Sequence, residues 1–173
     1  MIHKILSKQD NAKDCFICGT ENKSGLQASF YELDNKKTAC IFNAKSIHEG
    51  HPGILHGGII CSILDETAGR AMAAVKSDIS AFTIELKTNY FSPVPSNTEL
   101  TAVGWVEEIR EKVYISVAEI YLPDGRTAAR GRGVYYIVKN DTEKINAEYH
   151  KVFPSELDRF ELDIPEPEES PDK

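Results

Sequence analysis

The chain lacks most of what would tie it to a membrane or a nucleic acid. Its 173 residues contain no run of about 18 apolar residues, so no membrane-spanning helix is expected. Positive charge is in short supply. Lys plus Arg number 20 against 27 Asp plus Glu, a net charge of −7. A nucleic-acid partner needs a basic face and is not expected. The start, Met1 to Lys8, has no apolar core of the kind a signal peptide carries, and a cytoplasmic location is expected. No Walker loop, G-x-S-x-G elbow or H-E-x-x-H run is present, so those three chemistries have no support. No internal repeat is visible.

Cysteine is sparse as well, with four residues at 15, 18, 40 and 61. Cys40 and Cys61 fall in apolar runs and read as small buried hydrophobes. Cys15-Phe16-Ile17-Cys18 is a close pair with no second close pair or His pair beside it. A structural zinc would need His3 and Cys40 to complete a set, and reduced thiols in a turn are the plainer reading. A thioredoxin-like reading needs a βαβ context, whereas the segment after Cys18 reads as a strand. No metal and no cofactor are expected.

What is present reads as one α+β domain. Residues 1–25 form a polar, turn-rich segment. Two β-runs follow, Leu26–Leu33 and Thr38–Asn43, and then a loop, Ser46–Leu55, with Gly50, Pro52 and Gly53. His56–Lys76 is the one strong helix, with apolar Ile60, Ile63, Leu64, Ala68, Ala71, Met72 and Val75 at helical spacing. Four β-runs come next: Phe82–Phe91, Thr98–Glu107, Lys112–Tyr121 and Arg126–Val138. Pro123-Asp124-Gly125 turns the last hairpin. One helix among so many strands predicts an antiparallel sheet wrapped on a central helix. That domain spans 26–139. An acidic tail, 140–173, is expected to be partly disordered, with a short helix over 147–160.

The densest chemistry is Leu55-His56-Gly57-Gly58-Ile59-Ile60-Cys61-Ser62-Ile63-Leu64-Asp65-Glu66. Two glycines at a helix N-terminus let a ligand approach free N–H groups closely. Such donors suit a carbonyl oxygen on which negative charge develops. On a wheel of about 100° per residue with Leu64 at zero, Asp65 lies at about 100°, beside Met72 at about 80° and Cys61 at about 60°. A carboxylate at the edge of an apolar stripe needs a partner or a function. Glu66 lies at about 200° and pairs with Arg70 four residues on. Asp65 is therefore the candidate for chemistry. It stands about 12 Å along the axis from Gly57. One small electrophile can meet both only if they come from two copies of the chain, which predicts a two-fold dimer.

These motifs resemble a family. Cys15-x-x-Cys18-Gly19, Asn22-x-x-Gly25-Leu26, His56-Gly57-Gly58 with Asp65 nine after the His, Thr83-x-Glu85-Leu86 with Tyr90 and Pro93, and Arg130-Gly131-Arg132-Gly133 are similar to the hotdog-fold acyl-CoA thioesterases of the PaaI-like branch. The resemblance covers about Cys15 to Val138. It implies a five- or six-stranded antiparallel sheet around one long helix, in a homodimer that is often paired again into a homotetramer. It implies an acyl-CoA thioester substrate, with the Gly57 N–H polarising its carbonyl. Asp65 of the other subunit would act as nucleophile or general base, Thr83 would place water, and His56 would support the loop. Leu55, Gly58, Cys61 and Glu66 are expected at the substrate, and Arg130 and Arg132 at the CoA phosphates, where solvated strand charge is the competing reading. One stretch departs from the pattern. Some relatives carry Asn or Gln in the loop before His-Gly-Gly, but here Glu49-Gly50-His51-Pro52-Gly53 stands instead. Glu49 or His51 would have to substitute, or the site is slow or non-hydrolytic. A non-hydrolytic acyl-CoA binder or sensor and a hydratase are the rival readings.

Overall fold

The computed structural model describes residues 1–76, 79–138, 149–150 and 157–165. In chain order the elements are β1 (Ile2–Lys8), β2 (Asn11–Ala12), β3 (Ser29–Leu33), β4 (Thr38–Phe42), β5 (Glu49–His51), β6 (Ile54–Leu55) and α1 (Gly57–Arg70). Then follow β7 (Ser80–Tyr90), β8 (Leu100–Ile109), β9 (Val113–Tyr121), β10 (Thr127–Val138), β11 (Tyr149–His150) and β12 (Glu161–Asp163). Eight strands form one sheet in the order β12-β1-β3-β4-β8-β9-β10-β7. Every pairing in it is antiparallel. The expected α+β architecture, one helix held by an antiparallel sheet, is what forms. The expected count of five or six strands is corrected to eight. β1 and β12 add the extra strands at one edge. Both lie in stretches whose polar composition masks them.

The helix forms where the apolar spacing places it. His56 caps its N-terminus, with Nδ1 accepting from the Gly58 N–H at 2.9 Å. Ile60, Ile63, Leu64 and Ala68 of α1 and Met72 just after it enter a core with Phe30, Cys40, Ala102, Ala118 and Ile120. Ile63 and Leu64 are wholly buried, each contributing about 1.5–3 kcal/mol by leaving water. The α-helix stops at Arg70, six residues short of the expected end, and a 3-10 turn covers Ala71–Ala74. Thr38 Oγ1 and Gln9 Nε2 each donate to the Arg70 carbonyl at 3.4 Å. That competes with the next helical hydrogen bond and tightens the turn.

A second apolar cluster lies on the other face of the sheet: Ile5, Tyr31, Leu33, Ala39, Ile41, Val103, Tyr121 and Ile164. Ile164 belongs to the stretch 157–165, where β12 pairs with β1 and Asp158 accepts from the Tyr31 hydroxyl at 2.7 Å. Of the span expected as a short helix, 147–148 and 151–156 lie outside the described residues, and Tyr149–His150 pair as a strand with β2. The end of the acidic tail, 166–173, also lies outside them. No described helix is long and apolar enough to cross a membrane.

α1 packs so closely on β8 that a Cβ at Gly104 would lie 2.5 Å from the Thr67 carbonyl oxygen. Backbone on both sides leaves nothing flexible to yield. Gly104→Ala is expected to destabilise the fold by about 1–3 kcal/mol, read as a lower denaturation midpoint with an unchanged denaturant slope. A midpoint equal to wild type would mean that helix and sheet are not in backbone contact there.

Candidate active site

Asp65 sits midway along α1, half-buried, under the end of the sheet where β10 meets β7. Its Oδ1 accepts from Thr83 Oγ1 at 2.9 Å and from the Tyr135 hydroxyl at 3.3 Å. The same Tyr135 hydroxyl lies 3.0 Å from the Asp65 carbonyl oxygen. Both donors reach the carboxylate because of local backbone features.

Thr83 faces Asp65 because β7 carries a bulge. Along β7, Tyr90 and Thr88 point toward α1: the Tyr90 hydroxyl donates to the Gly57 carbonyl at 3.0 Å, and Thr88 Oγ1 lies 3.6 Å from Cys61 Sγ. Strict alternation from these would aim Ile84, not Thr83, at the helix. The pairing with β10 runs Val134↔Glu85 and then Tyr135↔Thr83, skipping Ile84. The extra residue flips the face of everything beyond it. Ile84 is left 61% exposed, and the Thr83 hydroxyl turns inward.

Tyr135 fits because glycines clear its path. A Cβ at Gly133 would lie 2.5 Å from the Tyr135 hydroxyl oxygen, and one at Gly69 would lie 3.2 Å from its ring. The ring stacks on Tyr114 with centroids 5.0 Å apart. Burial, then the charge of Asp65, pushes the Tyr135 phenol well above its ordinary range, so it keeps its proton and stays a donor. Sequence reasoning missed Tyr135. A detectable signal was the Gly131-x-Gly133-x-Tyr135 alternation, which places two absent side chains and one large one on the same face of β10.

Asp65 itself is raised above the ordinary carboxylate range. Burial is the first cause; the Thr83 and Tyr135 hydrogen bonds oppose it, and the charge of Glu66 adds a smaller push upward. A carboxylate poised this way is a stronger base than a solvated one.

The other half of the candidate site is at the start of α1. His56 Nδ1 takes the Gly58 N–H, so the imidazole proton resides on Nε2 and Gly58 is no longer a free donor. No described residue accepts from the Gly57 N–H. Leu55 is buried, and its N–H bonds to the Val94 carbonyl at 2.9 Å. Tyr90 meets Gly57 at the start of α1 and Thr83 meets Asp65 midway along it, so β7 runs antiparallel to α1.

The remaining expected residues lie elsewhere. Glu66 Oε1 accepts from Arg70 Nε at 2.8 Å, on the side facing Cys15 and Cys18. Arg130 and Arg132 alternate with Gly131, whose missing Cβ faces Leu64 of α1, so both arginines project from the opposite face of the sheet. Arg132 Nε pairs with Glu107 at 2.7 Å, and Arg130 Nη1 with buried Glu119 at 3.3 Å. Before α1, where a loop was expected, Glu49–His51 form β5 and pair with β6; Glu49 accepts from Ser96 Oγ, the bond that chiefly holds its carboxyl below the usual range, and His51 is exposed.

Comparison with known proteins shows what the chain is similar to. Residues 52–129 match the family model of the thioesterase superfamily. A protein of Saccharolobus solfataricus named as an esterase is 33% identical over 91 residues, 53% of this chain and 64% of that protein. The acyl-coenzyme A thioesterase THEM4 of Rattus norvegicus is 32% identical over 90 residues, 51% of this chain and 38% of its own length. The chain thus spans less than two thirds of the curated relatives it matches. Among solved structures, the PaaI protein of the E. coli phenylacetic acid degradation operon superposes with a TM-score of 0.60 at 17% identity, over 66% of this chain and 82% of that one. The fold is the hotdog fold of these structures, and residues 52–129 are similar to the thioesterase superfamily.

Thr83→Val removes a donor that lowers Asp65 and keeps the side-chain shape. The Asp65 carboxyl is expected to titrate higher still, because the hydrogen bond that opposes its burial is gone. Tyr135→Phe moves it the same way. Carbon-13 NMR of the aspartate carboxyls across pH measures this directly, and an unmoved titration in both variants would show that neither hydroxyl reaches the carboxylate.

Proposed function

We propose that the chain is an acyl-CoA thioesterase, with two equivalent sites built across a homodimer. The observation that carries this reading is the half-buried Asp65 carboxylate midway along α1, held by two hydroxyl donors, with a Gly57 N–H at the start of α1 that no described residue accepts. β7 supports the dimer. It is the free edge of the sheet, eleven residues long, and it exposes Phe82, Ile84 and Tyr90. A long apolar edge of this kind is a template for another strand. A second copy paired antiparallel along β7 would bring its Tyr90 end to the Thr83 end of the first. The second Gly57 would then face the first Asp65. A dimer of dimers is the next order of assembly to look for.

In this arrangement the thioester carbonyl oxygen points at the Gly57 N–H of one copy. Asp65 of the other either attacks the carbonyl carbon or takes a proton from a water that does. The oxyanion formed is stabilised by the preset N–H, a donor of the kind worth about 2.7–4 kcal/mol of barrier. Collapse of the tetrahedral species then expels the CoA thiolate, leaving the free acid where water attacked, or an anhydride on Asp65 that a water molecule cleaves to free acid and carboxylate. Thr83 and Tyr135 are positioning residues that hold the carboxylate in line. Arg132, 48% exposed at its side chain, is more open to a CoA phosphate than Arg130 at 26%. A phosphate at either would compete with Glu107 or Glu119.

Asp65→Asn tests the proposal. Free-thiol release from a panel of acyl-CoAs is expected to fall by at least about 100-fold, while acyl-CoA binding persists. Wild-type rates should fall as pH drops through the raised Asp65 value. Unimpaired hydrolysis by the variant would sink the assignment. No wild-type turnover with binding intact would favour a non-hydrolytic binder. A second readout is stability. Because the folded value lies above the unfolded one, the stability linked to Asp65 protonation is full at pH below the unfolded value and is lost as pH rises through the folded value. Asp65→Asn is therefore expected to melt no lower than wild type at neutral pH, and a clear drop would give the carboxylate a structural role.

A further inference from the structure

Away from Asp65, one cluster of reactive side chains has no part in the proposed chemistry. Cys15 and Cys18 lie in a tight turn closed by the Gly19 N–H on the Cys15 carbonyl at 2.9 Å. A Cβ at Gly19 would sit 2.2 Å from that carbonyl oxygen, so the turn admits only glycine there. Inside the turn, the N–H groups of Ile17 and Cys18 both point at Cys15 Sγ, at 3.3 and 3.4 Å. Arg70 Nη2 donates to Cys18 Sγ at 3.1 Å. The backbone donors around Cys15 Sγ favour a thiolate there, while Cys18 stays a thiol beside it, its hydrogen bond to Cys15 and its burial outweighing the guanidinium.

From this geometry we propose that Cys15 and Cys18 are a redox-active dithiol that closes to a disulfide on reaction with a hydroperoxide. Their exposure divides the labour. Cys15 is partly exposed and meets the oxidant, while Cys18 is wholly buried beside it. The Cys15 thiolate attacks one peroxide oxygen, and the O–O bond breaks to release hydroxide and leave a sulfenic acid. The Cys18 thiol then attacks the sulfenic sulfur. Its proton leaves with the sulfenic hydroxyl as water, and the S–S bond forms. Two sulfurs lose one electron each, and the peroxide takes both.

Charge supports the assignment. The Cys15 thiol is brought down to about 6, chiefly by the hydrogen bond it receives from Cys18. The same bond, with burial, pushes the Cys18 thiol up. One proton is therefore shared, with the thiolate on the exposed sulfur. A soft divalent metal is the rival occupant, because Cys15, Cys18 and Glu66 place three ligand atoms within 4.8 Å of one another. Arg70 counts against it. Its guanidinium already bonds both Cys18 and Glu66, and a second cation in that shell would be repelled. Cys40 is fully buried with its thiol pushed up to about 12, which makes it an internal control.

The test uses the full chain, reduced and treated with hydrogen peroxide in metal-free buffer. Two of the four thiols should be lost first, with a mass decrease of about 2 Da on the peptide spanning both cysteines, reversed by dithiothreitol. The rate should be about tenfold higher at pH 7 than at pH 5. Cys18→Ser should stop at a sulfenic acid on Cys15 that a dimedone-type reagent traps, and Cys15→Ser should lose the fast phase. If Cys18→Ser does not fold, the wild-type peptide map decides alone. Unreacted Cys15 and Cys18, faster oxidation of Cys61, or stoichiometric zinc held on the pair in the purified chain would each overturn the proposal. None of these readouts depends on thioester hydrolysis.

Discussion

The site depends on how deeply α1 is pressed into the sheet. Three strand glycines, Gly104, Gly131 and Gly133, stand where a side chain would meet α1 backbone, Leu64 or the Tyr135 ring. Removing those side chains brings helix carbonyls within reach of strand hydroxyls. Tyr114 reaches the Gly69 carbonyl at 2.7 Å, Tyr135 the Asp65 carbonyl, and Thr38 the Arg70 carbonyl. Hydroxyl-to-carbonyl bonds of this kind are worth little singly. Together they fix the rotation of the helix about its axis. That rotation in turn decides which of two neighbouring carboxylates faces the sheet edge.

Asp65 and Glu66 are adjacent in sequence but meet opposite environments. Glu66 has a guanidinium and two thiols, and its charge is answered locally by Arg70. Asp65 has only neutral donors, so burial dominates and its proton affinity rises. Two like residues are separated by the helical turn between them, about 100°. A one-residue slip of α1 would exchange their roles.

Much of this was readable in the sequence. The helix, the four strands after it and the Asp65 position all follow from apolar spacing and wheel angle. The Thr83 candidacy came from a resemblance, because strand alternation alone places Thr83 on the face opposite Thr88 and Tyr90. The bulge at Ile84 is a tertiary decision. An exposed Ile is tolerable at a free edge, and nothing local announces it. Tyr135 escaped notice because a strand tyrosine is ordinarily a packing residue. β1 and β12 were hidden for a different reason: their polar composition resembles a loop, and the pairing that holds them is between stretches more than 150 residues apart. The ion pairs of Arg130 and Arg132 depend on which strands lie side by side, and sequence order does not carry that pairing.

The two edges of the sheet are unequal, and this limits growth. At one edge β12 offers three residues, short and charged with Glu161 and Asp163. At the other, β7 offers eleven. A strand array extends indefinitely only when both edges accept a newcomer. Here one edge ends in a stub that gives an incoming strand almost nothing to hold. In the proposed dimer, association of β7 with an identical β7 would consume the longer of the two described edges on each copy. Sheet growth would then close after one step, and an apolar edge that could seed fibres would become a terminating contact.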